Sequence, residues 1–125
     1  MLKTIVSILI TLAIIATLSV YELVYVHQIF VQFESVLQSL YEKTAMQTAT
    51  YEDGTAVRIF WEEKRDTLHI WLPHTALQEI NYQMDEALGC LYVKDYDSAL
   101  PKIELLLGLA DTIPHAYTFG LENIF

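Results

Sequence analysis

The chain has 125 residues, enough for one folded unit, with 16 Asp and Glu against 7 Lys and Arg and a formal net charge of −9. That balance argues against nucleic acid and against an anionic membrane surface as partners. The single cysteine, Cys90, excludes an intramolecular disulfide and a Cys-rich zinc site, and leaves a thiol to be buried as a small hydrophobe or paired between chains.

The first element is "TIVSILITLAIIATLSVY", Thr4 to Tyr21, which holds no charge between Lys3 and Glu22. As a helix it spans about 27 Å, close to the hydrocarbon thickness of a bilayer, so residues 1–21 read as a short cytoplasmic N-terminus and a transmembrane anchor in membrane lipid. A cleaved signal peptide is the competing reading. No clear A-x-A site or lipobox cysteine follows, and the apolar run outlasts an ordinary signal core. Lys3 precedes the run, whereas Glu22, Glu34 and Glu42 follow it before the next base, Lys43. The positive-inside tendency therefore puts the N-terminus in the cytoplasm and residues 22–125 outside the cell membrane. That outer part carries −10, from 6 basic and 16 acidic side chains.

Past Glu22 the apolar residues keep a helical period, with Val26, Ile29, Phe30, Phe33, Val36, Leu37, Leu40 and Tyr41 on one broad face. No Gly or Pro intervenes before Ala49, so one rod is expected to leave the membrane and enter the domain. Val24 and Val31, with Gln28 between them, fall on the opposite side. A helix apolar on both sides is usually covered on both, here by a second helix or by lipid headgroups, which Tyr21 and Tyr25 would suit.

"TYEDGT", Thr50 to Thr55, is the first turn signal, with Asp53-Gly54 as its flexible corner. A second helix from about Thr55 carries Val57, Phe60, Trp61, Lys64, Leu68, Trp71 and Leu72 at spacings of three and four, and stops at Pro73. Thr75 to Gln78 reads as a capping box opening a third helix that buries Leu77, Ile80, Met84, Leu88 and Leu91. Asp97 or Ser98 is expected to cap a fourth helix, with Pro101 in its first turn, Leu100, Ile103, Leu106, Leu107 and Ala110 inward, and Pro114 at its end. The short connections predict antiparallel neighbours. The expected fold is all-α, an N-terminal transmembrane helix continuing into an antiparallel bundle of about four helices formed by residues 22–125. After Pro114 the chain could fold back, so that Leu121, Ile124 and Phe125 either edge the core or dock on a partner.

The stretches "WEEKRDTLHIWLPH", "YVKDYDSALPKIELL" and "IPHAYTFGLENIF", together with the N-terminal span, resemble a family of small membrane-anchored proteins of clostridial, spore-forming Gram-positive bacteria, known only as a domain of unknown function. The likeness covers most of the chain and is most specific from Trp61 to Phe125. Pro73 and Thr75 flank His74 where the family more often has acidic residues. The resemblance implies no known activity; it implies at most a spore-former's envelope and genes near those of multi-spanning membrane proteins.

Residues that could carry chemistry are sparse. His69 and His74 are five apart across Pro73 and do not share a helical face as zinc ligands would, and Asp111 and His115 are split by Pro114. No Gly-rich phosphate loop, nucleophile elbow or Ser/His/Asp set is present, and nothing draws two carboxylates into a cleft. The acidic run Glu62, Glu63 and Asp66 beside Lys64 and Arg65 reads as a solvated, internally paired face. Sequence alone thus points to a non-enzymatic protein without cofactor or metal, whose bundle binds or positions another membrane or envelope protein, or a second copy of itself. The candidate contacts are Val24, Gln28 and Val31 on the first helix and Leu121, Ile124 and Phe125 in the tail. The alternative is a sensor of a small molecule or peptide, with a pocket lined by Trp61, Trp71 and His74.

Overall fold

The computed structural model describes the backbone of residues 1–68 and 72–124 and the side chains of residues 1–68 and 72–114. Four helices follow in order: α1 (Leu2–Ala45), α2 (Tyr51–Leu68), α3 (His74–Tyr92) and α4 (Tyr96–Ile124). Among the described residues there is no strand.

Helix α1 has 44 residues, about 66 Å of rod, because neither Gly nor Pro interrupts it. Three hydroxyls of its apolar half are satisfied within the helix: Thr11, Thr17 and Ser19 donate to the carbonyls of Ser7, Ala13 and Ile15 at 2.9, 2.8 and 2.9 Å. Those three side chains therefore need no water, which favours a passage through lipid. The helix is long and apolar enough to cross a membrane, and none of its most apolar 18-residue window is buried within the protein.

The second half of α1 is one wall of a helical bundle. It packs on α2 and α4, and α3 closes the ring between those two. Ile29, Phe30, Phe33, Leu37 and Leu40 are buried where the spacing places them, with Val26, Val36 and Tyr41 half-buried against the same core. Trp61 of α2 is 1% exposed; its ring lies 4.9 Å from that of Phe33 and 6.2 Å from that of Phe30. Phe60 stacks on Phe33 at 6.3 Å. In α4 the inward seam is Ala99, Ile103, Leu106, Ala110 and Ile113, while the expected Leu100 and Leu107 are only half-buried.

Four element boundaries differ from the sequence reading. Asp53-Gly54 is no corner: both lie in the first turn of α2, and Gly54 is buried. A Cβ there would sit 2.5 Å from Leu88 Cδ2 and 2.9 Å from Leu91 Cδ1, so this glycine lets α2 and α3 approach. The chain reverses earlier, at Met46–Thr50. Gln47 is left-handed (φ 59°), its N–H donates to Thr44 O, and Thr48 N–H donates to Lys43 O. Lys94 (φ 60°) repeats the motif after α3, with Lys94 N–H on Leu91 O and Asp95 N–H on Cys90 O. Both are Schellman caps made without glycine.

The capping box also sits elsewhere. Asp53 N–H donates to Thr50 Oγ1 at 3.1 Å and Thr50 N–H donates to Asp53 Oδ2 at 2.9 Å, opening α2. The Thr50 amide, against a small opposing effect of burial and with help from the Thr50 hydroxyl and Lys43, holds the Asp53 carboxyl below its usual value. Thr75 and Gln78 do not open α3, which begins at His74 with Pro73 as its N-cap and no side-chain cap. Helix α4 is capped by Asp95, whose Oδ1 accepts from Ser98 N–H at 3.2 Å, and not by Asp97 or Ser98. That start moves Pro101 past the first turn.

Pro114 does not end α4 either; the helical backbone continues to Ile124. A proline inside a helix forfeits one amide bond, and here Ile113 and Pro114 are both buried against the bundle. The expected fold-back of the tail after Pro114 is therefore replaced by further turns of helix.

Candidate functional site

Two faces of the bundle are candidates, and the residues of each come from the core geometry. On α1, burial of Ile29, Phe30 and Phe33 turns Val24 and Val31 outward, each 49% exposed, with Gln28 exposed between them. Seven residues is two turns, so the valines stand about 10 Å apart on one side of the helix. The outer end of this face opens into a groove of about 500 Å³ between α1 and α4, lined by Val31, Glu34, Ser35, Gln38, Leu107 and Asp111. Its inner end meets Tyr21, whose ring stacks on that of Tyr25 at 6.2 Å. The face is an apolar strip with amide and hydroxyl neighbours and two carboxylates, Glu34 and Asp111, in the groove at its outer end, and is suited to contact with another helix.

The other face is a small polar cleft between α2 and α3, about 170 Å³, lined by Arg58, Trp61, Glu62, Arg65, Asn81, Met84 and Asp85. Its charges largely neutralise one another: Arg58 reaches Glu62 and Asp85, each at 3.1 Å. Trp61 Nε1–H donates to Asn81 Oδ1 at 2.6 Å. The indole thus presents an edge to the cleft and no face on which a ligand could stack. His74 is exposed at the first turn of α3 and is not among the cleft residues. Trp71 lies outside the described residues, with His69. The sensor pocket inferred from Trp61, Trp71 and His74 therefore has one member in the core and one at a helix end.

Among the described residues, no three His, Cys, Asp or Glu side chains gather to hold a metal ion. Cys90 is a free, half-buried thiol packed against the core. Lys64 lies over the Phe60 ring at 5.8 Å, and Glu62, of the acidic run on α2, pairs with Arg58 one turn earlier in the same helix. At the α3–α4 contact Lys102 pairs with Glu86 at 2.6 Å, which raises the lysine above its usual value. Leu121 and Ile124 belong to the last turns of α4, where only the backbone is described, and Phe125 lies outside the described residues.

Sequence reasoning missed a third surface. Met46, Tyr51, Tyr92 and Val93 are all exposed and lie at the helix ends joined by the α1–α2 and α3–α4 connections. The Tyr51 and Tyr92 rings meet edge-on at 5.4 Å. No linear spacing announces this patch, because folding alone joins residues 41 positions apart. Comparison of the chain with protein-family models, curated proteins and solved structures found no match.

Proposed function

We propose that the chain is a single-pass cell-membrane protein, N-terminus in the cytoplasm, whose antiparallel bundle stands outside and binds or positions another membrane or envelope protein. The observation that carries this reading is α1 itself. Its residues 4–18 are uncharged and exposed on every side, and its second half, without a break, is a wall of a packed core. A helix exposed in this way has lipid as its natural surrounding, and an uninterrupted rod fixes the bundle close to the membrane.

The contacts support the antiparallel order. Phe30 and Phe33 meet the later part of α2 at Trp61, whereas Leu40 and Lys43 share a groove with its earlier part at Asp53 and Val57. Likewise Tyr96, at the start of α4, donates its hydroxyl to Ala49 O at 3.2 Å, while Leu107 and Asp111 line a groove with residues 31 to 38. The reading assigns no reaction to the protein. The envelope of a spore-former rests on the family resemblance, and orientation rests on Lys3 against the acidic outer flank.

The docking face is Val24, Gln28 and Val31. In the full chain, Val24→Asn with Val31→Asn removes two exposed apolar contacts and should change stability by only about 0.5 kcal/mol per site. Extraction in mild detergent should then lose the proteins that accompany the native chain while the melt stays in place. Retention of the same companions by the double variant refutes this face.

A further inference from the structure

We propose that the last turns of α4 enter the outer interface of the same bilayer that α1 crosses, so that the protein meets the membrane at two places. The inference rests on the anchored, antiparallel reading above and goes beyond it. Asp111 shares a groove with Val31, and Ile124 is thirteen residues further along α4. At about 1.5 Å per residue that is about 20 Å, and thirteen residues below Val31 on α1 is Leu18. A proline kink of about 25° at Pro114 would shorten the reach by only about a tenth. Leu18 lies inside the uncharged run from Thr4 to Tyr21.

The burial of α1 agrees with this reach. Ile29 is the buried core residue of α1 nearest the membrane, yet Val26, Leu23, Glu22 and Ser19, below it on the bundle side, are still half-buried. On the opposite side Val20, Tyr21 and Val24 are exposed. Helix α2 ends at Leu68, seven residues past Trp61 and so about 10 Å below the Phe30–Phe33 level. Of the described elements, α4 is the one long enough to cover α1 as far as Ser19.

The occupant of the surface around that end is lipid at the headgroup–acyl boundary. From Tyr117 to Ile124 the helix reads "YTFGLENI", with Tyr117, Phe119, Leu121 and Ile124 apolar or aromatic and one carboxylate, Glu122. Such a segment at the depth of Leu18 to Tyr25 has aromatic residues where interfacial belts place them. Glu22 and Glu122 are the carboxylates at this level of the two helices, and no Lys or Arg follows Lys102, so the lipid it suits is zwitterionic and not anionic.

The test uses the full chain with Cys90→Ala, reconstituted into phosphatidylcholine vesicles, with single cysteines carrying a bimane label at Leu121, at Ile14 in the span and at Tyr92 at the far end. Nitroxide-bearing phosphatidylcholine should quench Leu121→Cys as it quenches Ile14→Cys, and aqueous iodide should quench only Tyr92→Cys. If the Leu121 label responds to iodide, the segment is in water; if it responds to neither quencher, it is packed in protein. Either result overturns the proposal while a lipid-quenched Ile14 label leaves the anchor standing. An Ile14 label that lipid nitroxide does not quench overturns the anchor and this inference together. Should Leu121→Cys fail to fold, the same label at Thr118 gives the reading.

Discussion

Trp61→Ala probes the core that holds the outer bundle together. The indole is 1% exposed, lies against both Phe30 and Phe33, and gives its N–H to Asn81. Truncating a core Trp costs about 3 to 5 kcal/mol, because lost burial and the remaining cavity add. The Asn81 carbonyl also loses a donor, worth about 1 kcal/mol, although the open cleft beside it admits water and limits that loss. A total of about 4 kcal/mol in a bundle of roughly 100 residues lowers Tm by about 16 to 30 °C. Trp61→Phe keeps most of the ring contacts and forfeits the hydrogen bond, and should cost only about 1 to 2 kcal/mol. Far-UV circular dichroism of the full chain in detergent micelles reads both, since the span stays helical in micelles and contributes a level baseline. A shift of one or two degrees for Trp61→Ala would refute the assignment of Trp61 to the structural core.

Thr50→Ala removes one partner of the α2 capping box and should destabilise by about 1 kcal/mol in the same melt. Because the Asp53 carboxyl is held below its usual value, its contribution is present above its unfolded pKa near 3.8 and is lost as pH falls through the lower folded value. Asp53→Asn should therefore flatten the acid limb of the stability profile, and an unchanged limb contradicts the pairing. Lys94→Gly relieves a left-handed residue that costs about 1 kcal/mol, less some unfolded-state entropy, and should raise Tm; a fall in Tm would show that Lys94 is not strained.

Much of the fold was legible because apolar spacing is read from a single segment. The inward faces of α1, α2 and α3 follow from residues three and four apart, and Pro73 marks the entry to α3. What misled was punctuation. Gly54 looked like a turn because Asp-Gly commonly is one, but only the proximity of Leu88 and Leu91 reveals why a glycine is required there. The reversals after α1 and after α3 use Gln47 and Lys94 in a conformation that glycine would signal, so no glycine marks either. Pro114 was read as a stop for the same reason; tertiary contact at Ile113 carries the helix through it. The candidate faces divide similarly. Val24, Gln28 and Val31 are visible as a period on one helix, whereas the Tyr51–Tyr92 patch and the Arg58–Asp85 pairing exist only after chain reversal.

Everything proposed for this protein depends on α1 crossing the membrane with the bundle outside. Glu52 is exposed in the first turn of α2, at the far end of the bundle, and a cysteine there in a Cys90→Ala chain is accessible in the folded protein. In intact cells, an impermeant maleimide should label Glu52→Cys to the same extent before and after lysis. Labelling that appears only once the cells are broken would put the bundle in the cytoplasm and contradict the orientation.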